Sequence, residues 1–244
     1  MGLETDHRPW PLPDGPWVQA QTWSEVLFAH WPLPPEVLRP LIPEALALDT
    51  RDGMAWVGVV PFQMRGVRLR WTPPVPYLSR FPELNVRTYV TVGGKPGVYF
   101  FSLEAARGLI VAIARAWFRL PYYRARMSIE RANGSIQYES DRTHSGARPA
   151  RFRATYRPTS PVYRAAPGTL EHWLTERYCL YTVDQAGRPF RGEIHHPPWP
   201  LQQAEAQITE NSMAQASGIA LPDSRPLLHY SSGVDVIVWP LKRA

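Results

Sequence analysis

Cysteine is almost absent from this 244-residue chain, and the single one, Cys179, excludes an intrachain disulfide and a cysteine-based metal cluster. Lysine is nearly as scarce: of 27 basic residues, all but Lys95 and Lys242 are arginine. No run of about 18 apolar residues occurs, and residues 1–7 are polar with no apolar signal core behind them. A soluble, cytoplasmic protein without membrane contact is the expectation. Gly-x-Gly-x-x-Gly, the phosphate-loop Gly-Lys-Ser/Thr, Gly-x-Ser-x-Gly and His-Glu-x-x-His are all missing, so the common nucleotide, hydrolase and zinc-protease sites lack their signatures. No cofactor and no metal are therefore expected.

What the chain does have is apolar surface: 44% hydrophobic residues and ten Trp, enough for a large core or for a core with an apolar pocket. The net charge of +6 is almost entirely guanidinium. Arginine suits carboxylate and phosphate recognition, although an Arg-rich, Lys-poor chain equally reflects genomic base composition. The 27 prolines cluster at 9–16, 32–43, 73–82 and 197–200, marking loops and strand ends rather than a tether. The expected organisation is an irregular N-terminal arm over 1–16 and a single β-barrel domain over 17–244.

Periodicity predicts strands over 22–31 and 55–64, a short helix starting at Pro34-Pro35, and a hairpin pairing 84–92 with 98–105 across Gly93-Gly94-Lys95-Pro96-Gly97. Leu109, Ile110, Ile113, Ala116 and Trp117 predict a helix over 107–118. Hairpins are expected at 124–140 and 178–195, a strand at 151–157 with Phe152, Ala154 and Tyr156 inward, a helix at 169–177 capped by Thr169, and a last strand at 233–239. The fold class is α+β, mainly antiparallel β, a barrel or sandwich with a few short helices.

Glu83, Asn85 and Arg87 share a strand face by period two, and Glu104 with Arg107 ends the partner strand. They are either cross-strand ion pairs or a site. Glu193, His195 and His196 could ligate a metal, but neighbouring strand residues point to opposite faces. Cys179 reads as a small buried hydrophobe, and isolated histidines such as His30 and His144 as structural or as general bases.

Several segments carry a resemblance: residues 35–43 (Pro-Glu-Val-Leu-Arg-Pro-Leu-Ile-Pro), 55–62 (Ala-Trp-Val-Gly-Val-Val-Pro-Phe), 82–90 (Pro-Glu-Leu-Asn-Val-Arg-Thr-Tyr-Val), 120–127 (Leu-Pro-Tyr-Tyr-Arg-Ala-Arg-Met) and the stretch at 193–199. Together they resemble the YqjF-like family of unknown function, which is distantly similar to the acetoacetate decarboxylases. The resemblance implies an acetoacetate decarboxylase-like antiparallel barrel enclosing an apolar pocket. In the decarboxylases a Phe-Pro-Lys-Lys segment supplies the lysine that forms an imine with a β-keto acid. Here the matching segment is Leu120-Pro121-Tyr122-Tyr123, so both lysine positions hold tyrosine, and a phenol forms no imine. His30-Trp31-Pro32 stands where the decarboxylases place an arginine, while Glu83 matches a retained glutamate.

Three readings result. In the first, Glu83 with Tyr122 or Tyr123 exchanges protons with a small organic acid, such as a keto or hydroxy acid. Arg87, Glu104, Arg107 and Arg126 line its binding site, and Arg87 or Arg126 holds its carboxylate. In the second, the same pocket belongs to a non-catalytic sensor or carrier. In the third, Arg65, Arg68 and Arg70 with the Arg151, Arg153 and Arg157 strand face bind a polyanion, against which stand their dispersion among acids and the lack of a nucleic-acid motif. Aromatic-rich strand faces leave a homo-oligomer open.

Overall fold

The computed structural model describes residues 3–75, 79–106, 108 and 120–244. The helix expected over 107–118 lies, apart from Gly108, outside the described residues, and Arg107 lies outside them too. Among the described residues thirteen strands occur, β1 (Gln19–Leu33), β2 (Ala47–Leu48), β3 (Ala55–Leu69), β4 (Phe81–Val92), β5 (Lys95–Ala105), β6 (Tyr122–Ala132), β7 (Ser135–Arg142), β8 (Arg151–Pro158), β9 (Cys179–Val183), β10 (Pro189–His195), β11 (Leu201–Asn211), β12 (Leu227–Val238) and β13 (Lys242–Arg243). Helices among the described residues are short: α1 (Pro35–Leu38), α2 (Leu170–Thr175) and α3 (Met213–Ala216), with a 3-10 turn at Arg39–Leu41.

Five long strands form a shared central sheet in the order β12-β1-β3-β4-β5. On one side β9 and β10 complete a ring of seven, through the β5–β9 and β10–β12 pairings. On the other side β6, β7, β8 and β11 run from β5 round to β12, closing a larger circuit. The fold is thus the mainly antiparallel barrel expected, built as two circuits that share the central sheet. Most pairings are antiparallel, and β5 adds two parallel ones, to β6 and β9.

Because the central sheet is covered on both faces, β1 and β3 read as near-continuous apolar runs, whereas β4 alternates Glu83, Asn85 and Arg87 with Leu84 and Val86. Leu27, Ala29, Val57, Val59, Leu84 and Val86 pack against Ile136, Tyr138, Phe152, Ala154 and Tyr156 of the outer layer. Each large side chain buried there contributes about 1.5–3 kcal/mol relative to exposure. Two phenols also tie the layers through main chain: Tyr138 donates to the Glu83 carbonyl at 2.7 Å and Tyr156 to that of Glu25 at 2.7 Å.

Glu25 is a bulge. Its φ of 54° coincides with a register shift between Ser24 and Ala29, so Gln21 and Trp23 face the same side as Val26 and Phe28. A non-glycine residue held in the left-handed region costs on the order of 1–3 kcal/mol. The side chain offsets that cost by accepting from Tyr230 at 2.7 Å and from Arg131 at 2.6–2.7 Å. Opposite, Gly233 lets β12 approach closely: a Cβ there would lie 2.1 Å from the Trp23 carbonyl.

The β4–β5 hairpin is tighter than the five-residue connection expected, with Gly93 and Gly94 at φ 58° and 75° as the two-residue turn and Lys95 already in β5. Thr169 does cap α2, accepting from the His172 amide at 3.3 Å. Strand β11 was not expected. Its Gln, Glu and Ala content gives little β signal, and it forms because Ala204, Ala206 and Ile208 cover the outer-layer core. Residues 3–18 contain no helix or strand, yet Arg8 is buried and donates to the Ile194 carbonyl at 2.7 Å.

Candidate functional site

The seven-stranded ring encloses a cavity of about 550 Å³. Its walls are apolar: Trp23, Val26, Phe28, Val60, Phe62, Met64, Phe81, Leu103, Leu120 and Trp199. Depth follows the β3–β4 register, with Phe81 opposite Met64, Glu83 opposite Phe62, Asn85 opposite Val60 and Arg87 opposite Gly58. Leu69, Thr72 and Val75 rim one end and are exposed. At the other end Thr175 and Arg177, where α2 ends, form the floor.

Glu83 lies on the wall midway, 4% exposed. Tyr122 donates to its carboxylate, 3.2 Å from each oxygen. Burial raises the Glu83 pKa to about 8, the Tyr122 hydrogen bond opposing and the neighbouring Glu104 charge adding to it. A carboxyl still protonated at neutral pH can deliver a proton to a bound molecule. Tyr122 is itself pushed well above the usual phenol range, by burial first and by Glu83 second.

At the floor, Arg87 donates to the Leu174 carbonyl at 3.3 Å, and its guanidinium sits 5.5 Å from the Phe28 ring centroid. Gly58 makes the room: a Cβ there would come within 3.0 Å of the His30 ring and 3.4 Å of the Arg87 Cγ. His30 is fully buried behind Arg87, with Nε2 2.8 Å from the Tyr89 hydroxyl. Burial first, then the Arg87 charge, hold His30 neutral, its pKa well below the usual range.

The other expected site residues are elsewhere. Strand pairing sets Leu103 beside Tyr122 and Glu104 beside Tyr123, so alternation turns the first pair into the cavity and the second pair to the outer layer. There Glu104 forms a buried ion pair with Arg142, whose guanidinium stacks 4.0 Å from the Tyr123 ring centroid. Glu104 and Tyr123 thus correct the expected site: both belong to a packed polar cluster. Arg126 is also off the cavity, mostly exposed and 3.6 Å from Asp141, because β6 has left the ring and pairs with β7. Arg177, by contrast, was missed. It is expected in the last turn of a helix over 169–177, but α2 stops at Thr175, so the helical period does not set its direction.

Elsewhere, Glu193, His195 and His196 do not converge. Glu193 accepts from Trp10 and Arg191, and His196 stacks on Tyr178 at 4.7 Å. Among the described residues no group of three His, Cys, Asp or Glu could hold a metal, and no helix is long and apolar enough to cross a membrane. Cys179 is a buried thiol, its pKa raised to about 11 mainly by burial. Along β8, Arg151 and Arg153 pair with Asp141 and Glu210, and Arg157 with Glu205.

A family model, DUF2071, described as an uncharacterized conserved protein, matches residues 20–235. The chain belongs to the DUF2071 family. It is 48% identical over 232 residues to uncharacterized protein YqjF of Bacillus subtilis (strain 168), covering 95% of each chain. Two solved structures share the architecture of this DUF2071 chain. Acetoacetate decarboxylase from Legionella pneumophila matches with a TM-score of 0.65 at 13% identity, over 98% of this chain and 93% of that one. The enduracididine biosynthesis enzyme MppR, complexed with the condensation product of pyruvate and imidazole 4-carboxaldehyde, matches with 0.63 at 12%, over 94% and 90%. At that identity the likeness concerns the fold alone.

Proposed function

We propose that this DUF2071 protein binds a small organic acid inside the seven-stranded ring and acts on it by proton transfer, without an imine. The carrying observation is the Glu83–Tyr122 pair on the wall of an enclosed apolar cavity, with a guanidinium deeper on the same strand face. Arg87 holds the carboxylate. Asn85, one step along the strand, has its buried Oδ1 unpaired among the described residues and meets a ligand hydroxyl, or a carbonyl with its amide turned. Protonated Glu83 then acts as the acid toward a keto or hydroxy group, and Tyr122 holds it in place and relays the proton. The two fold neighbours are enzymes named for keto-acid chemistry or bound to a pyruvate condensation product, which favours the same class of ligand. Lysine is absent from positions 122 and 123, so the reaction is a lyase or isomerase step of another kind.

A thermal-shift screen against keto and hydroxy acids tests this, followed by turnover assays on each binder. A ligand raises the melting temperature by mass action. Glu83→Gln is expected to keep binding and lose turnover by 100-fold or more, in line with the roughly 10²–10⁴-fold worth of a positioned acid. Binding with no turnover on any ligand would make the protein a carrier or sensor instead.

A further inference from the structure

The floor of the cavity holds a second guanidinium. Arg177 is 5% exposed and Arg87 9%, and both line the cavity. Arg177 donates through Nε to the Trp173 carbonyl and through Nη1 to Asp49, each at 2.7 Å. Its Nη2 is buried with no hydrogen-bond partner among the described residues, and so is Nε of Arg87. Also among the described residues, no carboxylate lies within ion-pairing distance of Arg87, although every other strongly buried arginine there pairs with one: Arg8 with Glu193, Arg142 with Glu104 and Arg177 with Asp49. The two guanidiniums share one platform, standing 5.8 Å and 4.8 Å from the Tyr89 ring centroid. Arg177 also stacks on Trp173 at 4.4 Å.

Two buried N–H donors from different walls, both unsatisfied, are costly unless an acceptor meets them. The charges also count. Arg87 and Arg177 against Asp49 leave one net positive charge, which matches a monoanion such as a carboxylate presented to planar forks. Four residues separate Arg87 from Glu83, about 13 Å along the strand, and Phe81 and the rim lie beyond. A carboxylate on the floor therefore sends the rest of its molecule past Glu83 through the apolar walls. A three- or four-carbon keto acid is too short for that path, whereas the cavity volume lies within the ~300–1,000 Å³ of sites that take drug-sized ligands.

We infer that Arg87 and Arg177 together form a monoanion site at the closed end of the cavity, and that its ligand is a carboxylic acid with a long apolar body, held carboxylate-first. This rests on the proposed acid-binding function and narrows its ligand: the group that meets Glu83 is remote from the carboxylate.

The test is titration of the full chain, following the emission of the cavity tryptophans Trp23 and Trp199, with octanoate, octanamide and pyruvate. Octanoate is expected to bind at least tenfold more tightly than either of the others. Arg87→Gln and Arg177→Gln should each erase that preference over the amide. Since Arg177→Gln also breaks the Asp49 pair and could fail to fold, Asp49→Asn provides a second arm. It frees Arg177 for the ligand and should tighten octanoate several-fold while leaving octanamide unchanged. Equal affinity for octanoate and octanamide, or an Asp49→Asn variant that treats both alike, overturns the inference. Pyruvate binding that depends on Arg87 and not on Arg177 also overturns it, but leaves the acid-binding part of the proposed function standing. If no acid of either length binds, both fall.

Discussion

Glu83 and Glu104 are both buried, on adjacent strands, and face opposite sides of the central sheet. Glu104 faces the outer layer, where Arg142 pairs with it and Ser102 donates to it, and burial still lifts its pKa to about 7. Glu83 faces the cavity, where no arginine pairs with it among the described residues, and its pKa rises further, to about 8. The arginines divide the same way: Arg142 is matched to a carboxylate, and among the described residues Arg87 is not. One face of the sheet has its charges neutralised internally. The other keeps a proton and a positive charge available, as expected of a site rather than of a core.

The sharpest way to break this contrast is on the packed side. Arg142→Ala strands the Glu104 charge and is expected to cost about 3–5 kcal/mol in urea unfolding at pH 8, while Glu104→Gln with Arg142→Met recovers most of it. A loss below 1 kcal/mol would mean that the two faces do not differ.

On the cavity side the sign reverses. The folded-state pKa of Glu83, about 8, exceeds its ordinary value of 4.5, so the folded protein holds a proton that the unfolded chain releases between those values. Stability is then lost as pH rises from 4.5 to 8. Glu83→Gln removes that loss, leaving the variant level with the parent near pH 4.5 and more stable by about 2–4 kcal/mol at pH 8. Melting temperatures across this range check it, and a difference independent of pH would rule out the protonated carboxyl. The smallest effect belongs to Tyr122→Phe, which deletes one hydrogen bond and should cost about 1 kcal/mol. Since that bond favours the ionised carboxylate, the Glu83 carboxyl band in a pH-resolved infrared titration should persist to higher pH in the variant.

Much of this architecture is legible in the residues. Strands β3 and β8 declare themselves by apolar runs and alternation, Gly93-Gly94 and Asn133-Gly134 by turn chemistry, α2 by Thr169. Glu83, Asn85 and Arg87 sharing a face is a consequence of the strand period, and all three line the cavity. Choosing between Tyr122 and Tyr123 was beyond the sequence, because alternation says that they differ without saying which one points inward. The parallel pairing of β6 with β5 decides it. Strand β11 escaped notice because Ala and Gln carry little strand preference, so only its neighbours define it.

The residues alone specify a β-rich chain without an imine-forming lysine at 122 or 123, with an acid and a guanidinium spaced along one strand face. Those properties are local: they follow from residue chemistry and a two-residue period. Which buried charges are satisfied depends instead on long-range packing. It brought Arg142 to Glu104 across 38 positions of sequence and Arg177 to Asp49 across 128, and it set Arg177 on the same Tyr89 platform as Arg87. Whether a buried charge is a structural pair or a binding group depends on such long-range partners, because in a medium of low polarity the nearest opposite charge dominates its energy.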